Sequence, residues 1–135
     1  MKLTRTATGI VTEKLRQSRD FYVRYFGFEP VFEGAWYIHL RHASGAEIAF
    51  LQPGHATQQA CFQQPFAGAG IWLNLEVDDV DAEHARLKFE GIAMAVELRD
   101  EMWGERHFTV LDPNGVAINI LKMVKEPDVA LLSEV

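Results

Sequence analysis

Cysteine is almost missing from this chain. Cys61 is the only one in 135 residues, so no disulfide framework holds the fold together. A lone thiol suits a reducing compartment, and a cytoplasmic location is expected. Basic charge is also in deficit: 13 Lys and Arg stand against 19 Asp and Glu, for a net charge of -6. Nucleic-acid backbones need a basic patch, and none is visible. No long apolar run follows Met1-Lys2-Leu3-Thr4-Arg5, so neither a signal peptide nor a membrane-spanning helix is expected. What is present is 48% hydrophobic residues, enough for a core. The length suits one domain or two small fused halves.

The stretch from Trp103 to Leu121 carries the strongest local signal. Asp112-Pro113-Asn114-Gly115 is turn chemistry: Pro113 pre-sets φ, Asp112 can bond backbone two residues on, and Gly115 tolerates positive φ. Its flanks are β-branched and aromatic, which predicts a β-hairpin with about six residues per arm. Pairing Leu111 with Val116 sets Val110 opposite Ala117, Thr109 opposite Ile118 and Phe108 opposite Asn119. Val116, Ile118 and Ile120 then face a helix. Ala117, Asn119 and Leu121 share the other face with Arg106, Phe108 and Val110. An Arg and an Asn in apolar company suggest a cavity wall, and an edge strand with polar residues in water is the other reading.

Earlier in the chain, residues 5–12 read as a first strand weakened by Gly9. Ser18 reads as a helix N-cap, Phe21, Tyr22, Tyr25 and Phe26 as core at helical spacing, and Gly27 as the stop. Residues 28–33 and 36–41 read as strands, and Ser44-Gly45 turns the chain into a fourth strand over 47–51. Pairing Leu40 with Ile48 puts Ile38, Leu40, Ile48 and Phe50 toward a helix and Tyr37, His39, Ala49 and Leu51 on the opposite face. Residues 53–70 form a connector, in which Cys61, Phe62 and Phe66 suggest partial packing. A strand over 71–77 turns Leu73, Leu75 and Val77 one way and Trp72, Asn74 and Glu76 the other. A helix capped by Asp79 or Asp81 follows, with a stripe of Val80, His84, Leu87 and Phe89 and a stop at Gly91. His84 reads as a boundary residue. A strand over 92–98, a polar loop over 99–102 and the hairpin complete the pattern. The tail, residues 124–135, contains Pro127 and reads as a loose helix or a partner contact.

The order is strand, helix, three strands, and then the same again. Gly27 and Gly91 end equivalent helices; Leu15 and Val80 precede them at equivalent positions. The chain is thus an α+β domain spanning residues 1–135, with two tandem βαβββ repeats over about 5–52 and 71–123. Two curved mixed sheets of this kind are expected to enclose a cleft lined by the mixed faces.

The chain resembles the vicinal oxygen chelate superfamily, the glyoxalase/bleomycin resistance/dioxygenase group, over about residues 5 to 123. The residues that carry the resemblance are Leu15, Ser18, Phe21-Tyr22 and Phe26-Gly27-Phe28, then Val77-Asp78-Asp79-Val80, Leu87 and Gly91, and finally Asp112-Pro113-Asn114-Gly115. The segment Trp103-Gly104-Glu105-Arg106-His107-Phe108 looks most like the bleomycin-resistance branch. The resemblance implies a divalent metal held by His, Glu or Gln from the first and last strands of each repeat. Carried onto this chain by spacing, those positions fall on Ala7, Ala49, Trp72 and Asn119. None is an ordinary ligand, and a shift by one residue reaches only Thr6, Thr8, Ile48, Phe50, Ile71, Leu73, Ile118 and Ile120. No metal and no other cofactor are therefore expected.

The function expected is metal-free binding of a small organic molecule, cationic or planar. It would resemble the drug-sequestering proteins of antibiotic resistance, which are typically homodimers. The expected wall is Tyr37, His39, Trp72, Asn74, Trp103, Arg106, Phe108 and Asn119, with Glu47 and Glu76 favouring a cation. The alternative is a glyoxalase- or dioxygenase-like enzyme with a displaced metal. In it His39 is joined by His107, if a bulge shifts the last hairpin by one residue, and by Glu47 or Glu76. A third reading, a metal-independent catalyst, uses His39 as base and Arg106 to stabilise an anion.

Overall fold

The computed structural model describes residues 1–126 together with Ala130 and Ser133; the rest of the tail, with the helix or partner contact expected there, lies outside the described residues. The chain divides into two compact units, Met1–Gly68 and Ala69–Val135. The first contains β1 (Thr8–Val11), α1 (Leu15–Phe26), β2 (Glu29–Glu33), β3 (Tyr37–Arg41) and β4 (Glu47–Leu51). The second contains β5 (Trp72–Glu76), α2 (Val80–Phe89), β6 (Val96–Asp100), β7 (Glu105–Leu111) and β8 (Ala117–Met123). The sheets have orders β1-β4-β3-β2 and β5-β8-β7-β6, and in each the first strand runs parallel to the last. One wiring therefore occurs twice, as the repeat in the sequence predicts.

In the first unit β3 and β4 pair Leu40 with Ile48, the expected register. Ile38, Leu40, Ile48 and Phe50 are buried, and the Phe50 ring lies 5.6 Å from that of Tyr22 on α1. The helix begins earlier than expected. Leu15 is its first residue, Lys14 holds the N-cap position, and Ser18 is not a cap. Leu15, Ser18 and Tyr22 are the buried residues of α1, and their spacing of three and four puts them on one face. Ser18 is thus a small residue in the contact stripe. Gly27, at φ 74°, ends the helix in the left-handed conformation its sequence implies.

In the second unit the hairpin register differs from expectation by one residue. Leu111 pairs with Ala117, Val110 with Ile118, Thr109 with Asn119 and Phe108 with Ile120. The cause is Asp112. Its carboxylate accepts the backbone N–H groups of both Asn114 (2.8 Å) and Val116 (2.9 Å), and its own N–H donates to the Val116 carbonyl. Asp112 and Val116 therefore close the loop, and the ladder starts one residue further on. Side chains have a period of two, so the slip moves a whole arm to the other face. Phe108 and Val110 join Ile118 and Ile120 in the core under Val80 and Leu87, while His107 and Thr109 join Asn119 on the opposite side.

Two smaller corrections concern α2 and β6. Asp79 caps α2 by accepting the Ala82 N–H. Phe89, however, is exposed, because it lies two residues, about 200°, past buried Leu87. The sixth strand is Val96–Asp100 rather than 92–98. Arg99 and Asp100, expected in a loop, pair with His107 and Arg106 at the sheet's edge, where polar residues are tolerated.

Candidate functional site

The first unit has a hollow on the sheet face turned away from α1. In parallel pairing, Gly9 lies opposite Ala49 and Val11 opposite Leu51. Gly9, Ala49 and nearby Ala7 supply almost no bulk, and a Cβ added at Gly9 would meet nothing within 4 Å. The connector runs beside this face. Phe66 donates its N–H to the Val11 carbonyl (2.8 Å), and His55 stacks on Trp36 with ring centroids 4.0 Å apart. A cavity of about 560 Å³ results, walled by Ala7, Gly9, Val11, Trp36, Tyr37, Ala49 and Leu51 and bordered by Gln58 and Phe62 of the connector. Its volume and mainly apolar lining suit a small organic molecule. Of the three connector residues expected to pack, Phe66 is half-buried, whereas Phe62, 46% exposed, and Cys61 are not packed down.

A polar chain runs from this cavity into the protein. The Tyr37 hydroxyl lies 3.0 Å from Nδ1 of His39, and Nε2 of His39 lies 2.6 Å from Oε1 of Glu47. The Glu47 side chain is only 1% exposed. Burial pushes its carboxyl up, but the His39 hydrogen bond and the charges of Arg5 and Arg41 outweigh this and hold it below the ordinary carboxylate value. Arg5 Nε stands 2.9 Å from Oε2, an ion-pair distance, although no donor is aligned for a hydrogen bond to that oxygen. Arg41 reaches within 3.5 Å of Oε1. An ionised Glu47 accepts from Nε2–H, which leaves Nδ1 of a neutral imidazole to accept the Tyr37 O–H.

The second unit carries a different arrangement. Trp72 donates Nε1–H to Asn74 Oδ1 (3.0 Å), and Asn119 donates its amide to Asn74 (3.0 Å) and to Glu105 (2.7 Å). Trp103 donates to Glu105 (2.8 Å). His107 lies between Asn119 (2.7 Å from Nδ1) and Glu101 (2.8 Å from Nε2). Burial lowers the His107 pKa, but the bonds to Asn119 and Glu101 and the charges of Glu105 and Glu101 exceed that effect and raise it above the ordinary histidine value. Asn74 Oδ1, the Asn119 amide, Glu105 and His107 bond to one another, and the exposed Trp72 adds indole surface beside them.

The expected wall residues thus separate into four places. Tyr37 and His39 belong to the chain at the first cavity. Trp72, Asn74, Trp103 and Asn119 come together in the second network. Phe108 is fully buried against His84, with ring centroids 5.2 Å apart, and is no wall residue. Arg106 points to the α2 side and pairs with Asp81 and Asp100, each at 3.1 Å. Glu47, His107, Trp36 and Phe62 are absent from the expected wall. Glu47 was legible as a carboxylate on the His39 face, and His107 followed from the one-residue slip. Trp36 and Phe62 had no periodic signal.

The donor chemistry does not fit a metal. The positions implied for ligands in the first unit, Ala7 and Ala49, have no donor atom and line the cavity. Trp72 offers only an N–H, and both ends of the Asn119 amide are engaged. Both ring nitrogens of His39 and of His107 already have partners. Among the described residues no group of three His, Cys, Asp or Glu side chains could hold a metal ion, and no helix is long and apolar enough to cross a membrane.

The model of the Glyoxalase/Bleomycin resistance protein/Dioxygenase superfamily matches residues 3–120. An uncharacterised protein of Mycobacterium bovis is 34% identical over 59 residues, 44% of this chain and 39% of that protein. The match thus spans well under half the length of that relative. A glyoxalase/bleomycin resistance protein/dioxygenase from Nocardioides has a similar structure, with a TM-score of 0.75 at 19% identity over 93% of this chain and 86% of that one. TnmS3, an antibiotic binding protein from Streptomyces sp. CB03234, is similar with a TM-score of 0.68 at 23% identity over 90% of this chain and 97% of that one. With a family match across most of its length and the same fold, the chain belongs to the glyoxalase/bleomycin resistance protein/dioxygenase superfamily.

Proposed function

We propose that this protein binds a small, largely apolar organic molecule without a metal, in the first-unit cavity between the sheet and the connector. The observation that carries the reading is the cavity of about 560 Å³, created where Ala7, Gly9 and Ala49 leave room and approached by a single polar chain at Tyr37. Trp36, stacked on His55, gives the cavity a flat aromatic wall that suits a planar ligand. The antibiotic-binding description of TnmS3 supports a drug or drug-like metabolite as the ligand class. Glu47 is committed to His39, Arg5 and Arg41, so this cavity favours neutral or weakly acidic ligands over the expected cation. A cytoplasmic, homodimeric protein is part of the same proposal, and sedimentation at micromolar concentration tests the dimer.

Calorimetry of the protein against a panel of planar aromatic antibiotics tests the binding. Gly9→Val supplies the control. Valine suits a strand, and its side chain would project into the hollow. The expected result is a saturable isotherm for the natural chain and none for Gly9→Val at an unchanged circular dichroism spectrum. Flat isotherms throughout, or equal binding by the variant, would overturn the proposal.

A further inference from the structure

We propose that the first-unit cavity takes apolar molecules carrying one weakly acidic hydroxyl, a phenol or an enol, and holds them as the anion, the hydroxyl's proton passing through Tyr37 to His39. This rests on the cavity being the ligand site. Tyr37 is the member of the polar chain that lines the cavity, and behind it His39 and the buried Glu47 are already in line at 3.0 and 2.6 Å.

Proton transfer in this direction follows from the order of the hydrogen bonds. Glu47 fixes the His39 proton on Nε2, so Nδ1 is an acceptor aimed at Tyr37. When a ligand hydroxyl reaches Tyr37 Oη, its O–H bond breaks and its proton moves to Oη. The Tyr37 proton moves to Nδ1 as that N–H bond forms. The ligand becomes an oxyanion hydrogen-bonded by Tyr37, and His39 becomes an imidazolium held by Glu47. No other bond changes. Two guanidiniums, at 2.9 and 3.5 Å, face the one carboxylate, and the oxyanion–imidazolium pair leaves the net local charge as it was.

The cross-strand neighbours of His39 are Phe32 on β2 and Ala49 on β4, neither of which titrates. Glu33 on β2 is bonded to Arg19 of α1 at 2.6 Å. His55 of the connector is stacked on Trp36 and bonded to Thr57 at 2.8 Å.

The test compares para-nitrophenol with its methyl ether, para-nitroanisole, at a pH where free nitrophenol is mainly protonated. The expected result is that protein turns the solution yellow, as bound nitrophenolate, and binds the phenol about tenfold tighter than the ether. Tyr37→Phe, which keeps the ring, should lose the colour change, and the ether titration of the same variant reports whether its cavity is intact. Equal binding of phenol and ether without colour would overturn the proton transfer and leave the cavity reading standing. Colour retained in Tyr37→Phe would overturn the route through Tyr37. Binding of neither probe would count against the cavity as well.

Discussion

Phe108→Ala separates the observed hairpin register from the one its sequence suggests. In the structure the Phe108 ring is 0% exposed, lies opposite Ile120, and meets His84 at 5.2 Å. Truncating a ring enclosed in this way loses transfer energy and leaves a cavity, together about 3–5 kcal/mol. With Phe108 on an open wall, much of the ring would already be in water and the loss would fall below about 1.5 kcal/mol. Urea unfolding measures the difference, followed by fluorescence of Trp72 and Trp103, which belong to the same unit. At a slope of about 2 kcal/mol per molar urea, the midpoint should fall by about 2 M. Leu111→Ala is the matched control. That residue is 51% exposed on the same strand, and its loss should cost about 1 kcal/mol or less. Equal costs for the two variants, or a Phe108→Ala loss below about 1 kcal/mol, would refute the register and the placement of Asn119 beside His107.

Two further predictions concern the second unit. The folded protein holds the His107 proton above the ordinary histidine value of 6.5, so His107 contributes stability that is full below that value and is lost as pH rises through the folded pKa. Thermal melts across neutral pH should show this loss, His107→Gln should flatten it, and a variant with the parent's slope would contradict the raised pKa. Asp79→Ala removes the carboxylate that accepts the Ala82 N–H at the start of α2 and should cost about 1 kcal/mol in urea unfolding, with Asp79→Asn recovering most of it.

The sequence alone determined the repeat. Helix-stopping glycines at 27 and 91, the alternation over 37–41 and 47–51, and the Asp-Pro-Asn-Gly turn are local signals, each set by backbone sterics or by side-chain period, and they were enough to order the strands and helices. They also placed Tyr37, His39 and Ala49 on one face, because Leu40 and Ile48 have only one pairing that buries both. They did not determine the last hairpin. A five-residue loop and a four-residue loop use the same turn residues, and only the two N–H groups bonded to Asp112 decide between them. That one residue carried Phe108 into the core and brought His107 to Asn119. Tertiary structure likewise decided the candidate site. Glu47 gains its full set of buried partners only when Arg5 arrives beside it, and the cavity exists only where an aperiodic connector borders the small residues of β1 and β4. Such contacts join residues far apart in the chain, and no local period encodes them.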